Sequence, residues 1–449
     1  MVGILAKNGG MQGIVDNISK YAKSPRTGQL ATWAMGILIF FDDYANTLLV
    51  GNTMRAFTDK LRISREKLSY IVDSTAAPVA SIALISTWIG FELGLIQDAF
   101  ADMNLQRGVY ITFVQTIPYR FYSIFTLVFI FFISAYSRDF GPMLKAERRA
   151  RSTGKYIRDG AMPLSDEAME KIDLPPDMPR RWYNALIPIF SVIIITILGL
   201  YINGRVKLAE RASTAPLYEI FGAADSFSVL MWAAFGGSIV AGVLSVSQKL
   251  LSLRSTISSW ISGIKSMIIA PAILILAWSI GKICSDLNTA GYVVSITKGI
   301  LSPHMLPVLT FIIAASISFA TGTSWGTMAI LTPIVIPMAF SMGAGYSEGL
   351  RESIFLSTIG AVLAGSTFGD HCSPISDTTI LSSMASGSDH IDHVKTQIPY
   401  AIFTASLGLI IGYLPAGFGI NPVISLVAGV IVMFILVQFF SRNMIEPSN

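Results

Sequence analysis

Apolar stretches long enough to lie in lipid recur along the chain, and several are broken in mid-run by polar residues. Gln29 to Val50 is apolar but contains Asp42, Asp43 and Asn46. Tyr70 to Ile96 carries Asp73, Ser74, Thr75, Pro78 and Glu92; Val109 to Tyr136 is aromatic-rich, with Pro118 and Arg120 inside it. Further apolar runs lie near residues 184–202, 225–247, 265–283, 305–321, 326–341, 353–369, 397–416 and 421–440. A helix of about 20 residues crosses a bilayer. By that length the pattern predicts an all-α polytopic membrane protein with roughly ten to twelve membrane-embedded segments. The shorter runs suit broken or re-entrant helices as well as full spans.

Composition narrows the class. Hydrophobic residues make up 52% of the 449 and charged residues 13%, with a mean hydropathy of +0.60. A soluble domain carries roughly 25% charged residues. The net charge is +4, and the basic residues gather in loops, as the positive-inside bias expects. No basic patch interleaved with aromatics points to nucleic acid. The two cysteines, Cys284 and Cys372, lie far apart and form no metal-ligand spacing. Residues 1–27 show no cleavable signal peptide. The opening reads as the tail of a helix, a Gly9-Gly10 break and an amphipathic segment, and an N-terminal span is expected to be missing before it.

One stretch, Ser137 to Arg181, is plainly polar, with ten Lys and Arg against eight Asp and Glu. It is expected to be a cytoplasmic loop, and a solvated linker rather than a regulatory domain. It divides the chain into an N-terminal membrane half (1–136), the loop (137–181) and a C-terminal membrane half (182–449). Both halves place a polar-broken apolar segment before an Arg-Glu pair, Arg65-Glu66 and Arg351-Glu352, and another broken segment after it. A repeat with matched breaks would put a binding site near the midplane, between the halves.

Three polar clusters carry the candidate chemistry. The first is Asp42, Asp43 and Asn46, followed by Gly51-Asn52-Thr53. The second runs from Thr321 to Thr327 and includes Thr323, Ser324 and Thr327. The third, Gly365 to Ser386, holds Asp370, His371, Cys372, Ser373, Pro374, Ser376, Asp377, Thr378 and Thr379. Irregular backbone at membrane depth is tolerated only inside protein or along a wet cavity. Ionisable groups there mark an ion or substrate path by default. All three clusters offer oxygen ligands, which suit a hard cation, and transporters coordinate Na+ with carbonyls freed at broken helices. A desolvated carboxylate also gains affinity for a proton. The same group can then hold either ion, which is the basis of cation/proton exchange.

Duller readings stand beside these. Asp42 and Asp43 could cap a helix end, though eight apolar or small residues, Ala34 to Phe41, precede them. Asp73 could cap the helix that continues through Ala76-Ala77. His371 beside Cys372 does not match zinc spacings, and suits a hydrogen-bond partner or a proton sensor better. His390 and His393 fall in a polar loop and are expected to be solvated. Gly322, Ser324 and Gly326 echo a GxSxG nucleophile elbow, but no strand precedes them. Glu92 and Arg120 either pair with each other or line the path.

The third cluster, followed by His393-Val394 and Gln397-Ile398-Pro399-Tyr400-Ala401, resembles the NhaC-type sodium/proton antiporter family. Residues 319–339 and 40–80 resemble it too, and the similarity spans roughly Gly36 to Tyr413. The resemblance implies inverted repeats with re-entrant hairpins, Na+ and H+ as cargo, no cofactor, a homodimer and a place in the cell inner membrane. It carries over Asp370, Ser373, Ser376, Asp377, Thr378 and Thr379, then Asp42, Asp43 and Asn46, then Thr323, Ser324 and Thr327. Family members usually carry more apolar residues before the Gly9-Gly10 break. Sodium/proton antiport without covalent chemistry is thus the leading expectation. The alternative is an ion-coupled exchanger of small organic anions, of the malate/lactate type, with Arg55 and Arg120 as the basic candidates. A membrane hydrolase built on Ser324 and a passive channel are weaker readings.

Overall fold

The computed structural model describes residues 1–19, 22–163, 178–209, 223–265 and 302–443, with isolated positions between 215 and 292. Cys284, most of the 265–283 run and residues 164–177 of the polar stretch lie outside the described residues. The described chain is helical apart from one short antiparallel pairing, Arg138–Asp139 with Arg442–Asn443. Among the described residues six helices are long and apolar enough to cross a membrane, or eight if each of two bent pairs counts as one span. That count takes only spanning helices and leaves out the 265–283 run, most of which lies outside the described residues. Several embedded helices are too short or too polar to pass as spans: Pro25–Leu38 has 14 residues, Asp377–Ser386 has 10, and Asp43–Lys60 ends on charged turns.

Two compact units form. The first comprises Met1–Tyr21, Arg107–Val114 and Glu167–Ala272. Its helices Val2–Lys7 and Gly10–Ser19 meet at Gly9, whose φ of +73° supplies the left-handed turn. Asn8 ties this break to the long helices beside it, donating to the Asn184 carbonyl and to Ser245 Oγ, each at 3.3 Å.

The second unit comprises Ala22–Gln106, Gln115–Asp166 and Ile273–Asn449, and it holds every candidate site residue. Its order recurs. The helices Pro25–Leu38 and Asp43–Lys60 flank one break; Arg65–Ile82 then bends by 45° into Thr87–Asp102. Later, Leu306–Thr321 and Ser324–Gly343 flank a break, and Glu348–Cys372 is broken from Asp377–Ser386. The Leu306 and Glu348 helices pack closely because Gly365 presents no side chain. A Cβ there would sit 2.7 Å from the Phe311 carbonyl oxygen.

The polar stretch is not wholly solvated. Gly141–Thr153 is a helix whose Met143, Leu144, Ala146, Glu147 and Ala150 are buried. Glu147 accepts from the Ser64 amide and hydroxyl, both at 2.8 Å, and from Gln29 at 3.1 Å. It thereby holds the N-terminus of the Arg65–Ile82 helix, where donors lack intrahelical partners. Lys67, on that helix, reaches Asp139 at 2.5 Å with both side chains fully enclosed.

Candidate carboxylate site at the helix breaks

The breaks carry the three polar clusters, and the second unit brings them together. At the first break, Asp43 opens a helix just after the Pro25–Leu38 helix has ended. A broken helix leaves carbonyls without partners, and Asn46 takes them. Its Nδ2 donates to Gly36 O (2.6 Å) and Ile39 O (3.2 Å), and across to Thr75 O at 2.9 Å. Its Oδ1 meets no donor among the described residues. Asp42 and Asp43 are both buried, so neither is an interfacial cap in water.

At the second break, Gly322 (φ +68°) ends one helix and Thr323 caps the next, accepting from the Gly326 amide at 3.2 Å. Ser324 and Thr327 are buried, and the Thr327 hydroxyl donates to the Thr323 carbonyl at 2.9 Å. Among the described residues neither hydrogen-bonds to a carboxylate. A helix, not a strand, precedes Ser324. This break touches the third one: a Cβ on Gly322 would lie 2.7 Å from the Ile375 carbonyl oxygen, and Ser373 Oγ donates to Phe319 O at 2.8 Å.

The third break holds the most chemistry. Asp370 lies in the last turn of the 25-residue Glu348–Cys372 helix, at the end of the helix dipole that favours cations. Thr378 Oγ1 donates to Asp370 Oδ2 at 3.3 Å. Asp370 Oδ1 is buried and accepts no hydrogen bond among the described residues. Asp377 differs: it opens the next helix and is exposed. It accepts from the Thr378 amide at 2.8 Å and from the Tyr44 hydroxyl, which joins the third break to the first. Asp43, Asp370 and Asp377 are near enough for their charges to act on one another.

Asp73 is an interior residue of the Arg65–Ile82 helix, and Ser64 is that helix's cap. Its carboxylate is crowded with donors: Gln397 Nε2 at 2.7 Å, Thr379 Oγ1 at 3.0 Å and Ser382 Oγ at 3.2 Å. His371 is buried beside it, with Nε2 2.8 Å from Ser74 Oγ and Nδ1 2.5 Å from the Tyr122 hydroxyl. His371 is thus a hydrogen-bond partner on both nitrogens. Among the described residues no group of three or more His, Cys, Asp and Glu side chains is arranged to hold a metal ion.

Two expectations change. His393 is not solvated but fully buried, with Nε2 2.8 Å from Gln397 Oε1 and Nδ1 2.8 Å from Ser383 Oγ. His390 is half-buried and reaches Pro374 O at 2.7 Å. The reason is that the polar stretch ends in a helix start. Asp389 caps His390–Leu407 and accepts from the Asp392 amide (3.1 Å) and the Met162 amide (2.8 Å). Burial opposes the charge on Asp389, but these N–H groups and Arg158 outweigh it and hold its carboxyl below the usual range. The question of Glu92 and Arg120 also resolves: they pair at 2.8 Å, both enclosed, and Arg120 further donates to Thr116 and to the Ser81 carbonyl.

A multi-pass helical protein with its polar groups gathered at helix breaks has the build of a secondary membrane carrier. Residues 79–418 match the Na+/H+ antiporter family, and the chain belongs to that family. The family is one of secondary transporters, not of enzymes, and Na+ and H+ are its cargo. The chain is 32% identical to an uncharacterized protein of Haemophilus influenzae over 441 residues, 97% of this chain and 80% of that protein. It is 35% identical to the malate-2H+/Na+-lactate antiporter of Bacillus subtilis over 27% of this chain and 25% of the relative. It is 34% identical to the Na+/H+ antiporter NhaC of Alkalihalophilus pseudofirmus over 25% of this chain and 23% of the relative.

Proposed function

We propose that Na+ and H+ exchange at a single carboxylate cluster centred on the buried Asp370, with the buried Asp42 and Asp43 and the exposed Asp377 around it. The observation that carries this is the bare Oδ1 of Asp370, enclosed and without a donor among the described residues. A buried acceptor left unsatisfied is costly, and a cation or a proton would satisfy it. Asp73 is the contrast. Its oxygens already accept from three side chains, so a cation there would have to displace donors. Thr378 supplies a hydroxyl against Asp370, and Asn46 Oδ1 and the hydroxyls of Thr379, Ser373, Ser324 and Thr327 complete the proposed oxygen set. His371 supports the site through hydrogen bonds. Nothing covalent is made or broken, and no cofactor takes part.

The protein would work as a homodimer in the bacterial cytoplasmic membrane, a placement supported by its bacterial relatives. Exchange of organic anions is a second reading, favoured by the similarity to the malate/lactate antiporter. Its motive is a basic residue aimed at the site; Arg120 is instead held by Glu92, and Arg55, the other candidate, has its guanidinium against Gly387. The test is dequenching of a pH dye in proteoliposomes. Na+ should drive proton movement, and adding malate or lactate should leave that rate unchanged. Proton movement that requires malate or lactate would replace the first reading with the second.

A further inference from the structure

We propose that Gln397 is a positioning residue that sets the cation affinity of the Asp370 site; the inference rests on the reading of that site given above. Gln397 is buried in the His390–Leu407 helix. Its side chain spans three elements. Nε2 donates to Asp73 Oδ2 at 2.7 Å, on the Arg65–Ile82 helix, and also to the backbone carbonyl of His371, next to Asp370 in the last turn of the Glu348–Cys372 helix.

Both protons of the amide are thus used, and Oε1 can only accept. His393 Nε2, 2.8 Å away, must then carry the proton. With Oε1 anchored, the amide cannot turn over, and its donors stay aimed at Asp73 and the break. His371 and His393 face Asp73 with Nε2 at 3.9 and 3.8 Å from Oδ2, and Asp370, Asp377 and Cys372 are near enough for their charges to reach it. Asp73 also holds Thr379 and Ser382, and their helix begins at Asp377. The chain of contacts Gln397–Asp73–Thr379 therefore fixes the helix after the break, while Gln397–His371 fixes the helix before it. Together with the Thr378–Asp370 bond that spans the break, this amide sets the distance across it, and hence the fit of the oxygens around Asp370. Residues that orient ligands in this way typically change metal affinity by about 10- to 100-fold when lost.

The test uses the full-length protein in proteoliposomes and in detergent. Gln397→Leu should raise the KM for Na+ by about tenfold or more while Vmax stays within about twofold. The Na+ concentration needed to raise the melting midpoint in detergent should shift by the same factor. Gln397→Glu keeps the shape but turns an oxygen toward Asp73, and should raise KM as well. Adding Asp73→Asn to it exchanges donor and acceptor across the Asp73 contact but leaves the His371 carbonyl without its donor, so KM should come back only part of the way toward wild type. If Gln397→Leu does not fold, the isosteric Gln397→Glu and the double variant decide alone. A wild-type KM in the single variants, a Vmax loss at unchanged KM, or no recovery in the double variant would overturn the assignment. Those results alongside an inactive Asp370→Asn would sink this inference alone; an active Asp370→Asn would sink the reading beneath it.

Discussion

Asp370→Asn should abolish Na+-dependent proton movement in inverted vesicles while the protein still inserts and folds. Asparagine keeps the volume and the Thr378 contact, which needs only an acceptor (3.3 Å in the wild type). It removes the charge that compensates a desolvated cation, and it removes the proton-binding group. Two carboxylate functions are lost with one substitution, and no hydroxyl nearby can supply either. Asp377→Asn is expected to lower the rate too, but Asp377 is exposed and shared with Tyr44, so its part is the smaller. Wild-type exchange in Asp370→Asn, measured by dye dequenching at saturating Na+, would remove Asp370 from the centre of the site.

The second large effect is on stability. Arg120→Gln leaves Glu92 enclosed without its partner (2.8 Å, side chains 0% and 1% exposed). Breaking a buried pair from one side costs about 3–5 kcal/mol. The Ser81 carbonyl, near the end of the Arg65–Ile82 helix, loses a donor as well. Fluorescence-detected size exclusion after heating should show a steep fall in the melting midpoint. The double variant Arg120→Gln, Glu92→Gln should recover most of it, because it removes both charges. If Arg120→Gln kept its stability and lost only organic-anion transport, Arg120 would be a substrate residue instead of a structural one.

Much of this was legible in the chain, and the reasons differ by residue. Lipid-length apolar runs give the helical membrane class directly, since few other folds satisfy a backbone in hydrocarbon. Glycine and proline mark the breaks at Gly322 and Pro374, and the carboxylates beside them stand out against apolar surroundings. Gln397 and His393 were harder. A polar sequence such as Ser386 to Lys395 reads as solvated until the helix start at Asp389 is placed. The signal was present in the spacing: His393, Gln397, Tyr400 and Thr404 recur at 4, 3 and 4 residues, which is one face of a helix. All four are buried. What spacing cannot give is which face turns inward, because that depends on Asp73 lying 324 residues away in sequence.

The shared-carboxylate mechanism is tested most directly by the apparent KM for Na+ as a function of pH, measured in proteoliposomes with both faces buffered alike. One proton and one cation contending for the same oxygens predict a KM that rises about tenfold per pH unit on the acid side, at constant Vmax. A KM that stays flat with pH, while Vmax alone changes, would mean that the two ions bind at separate places.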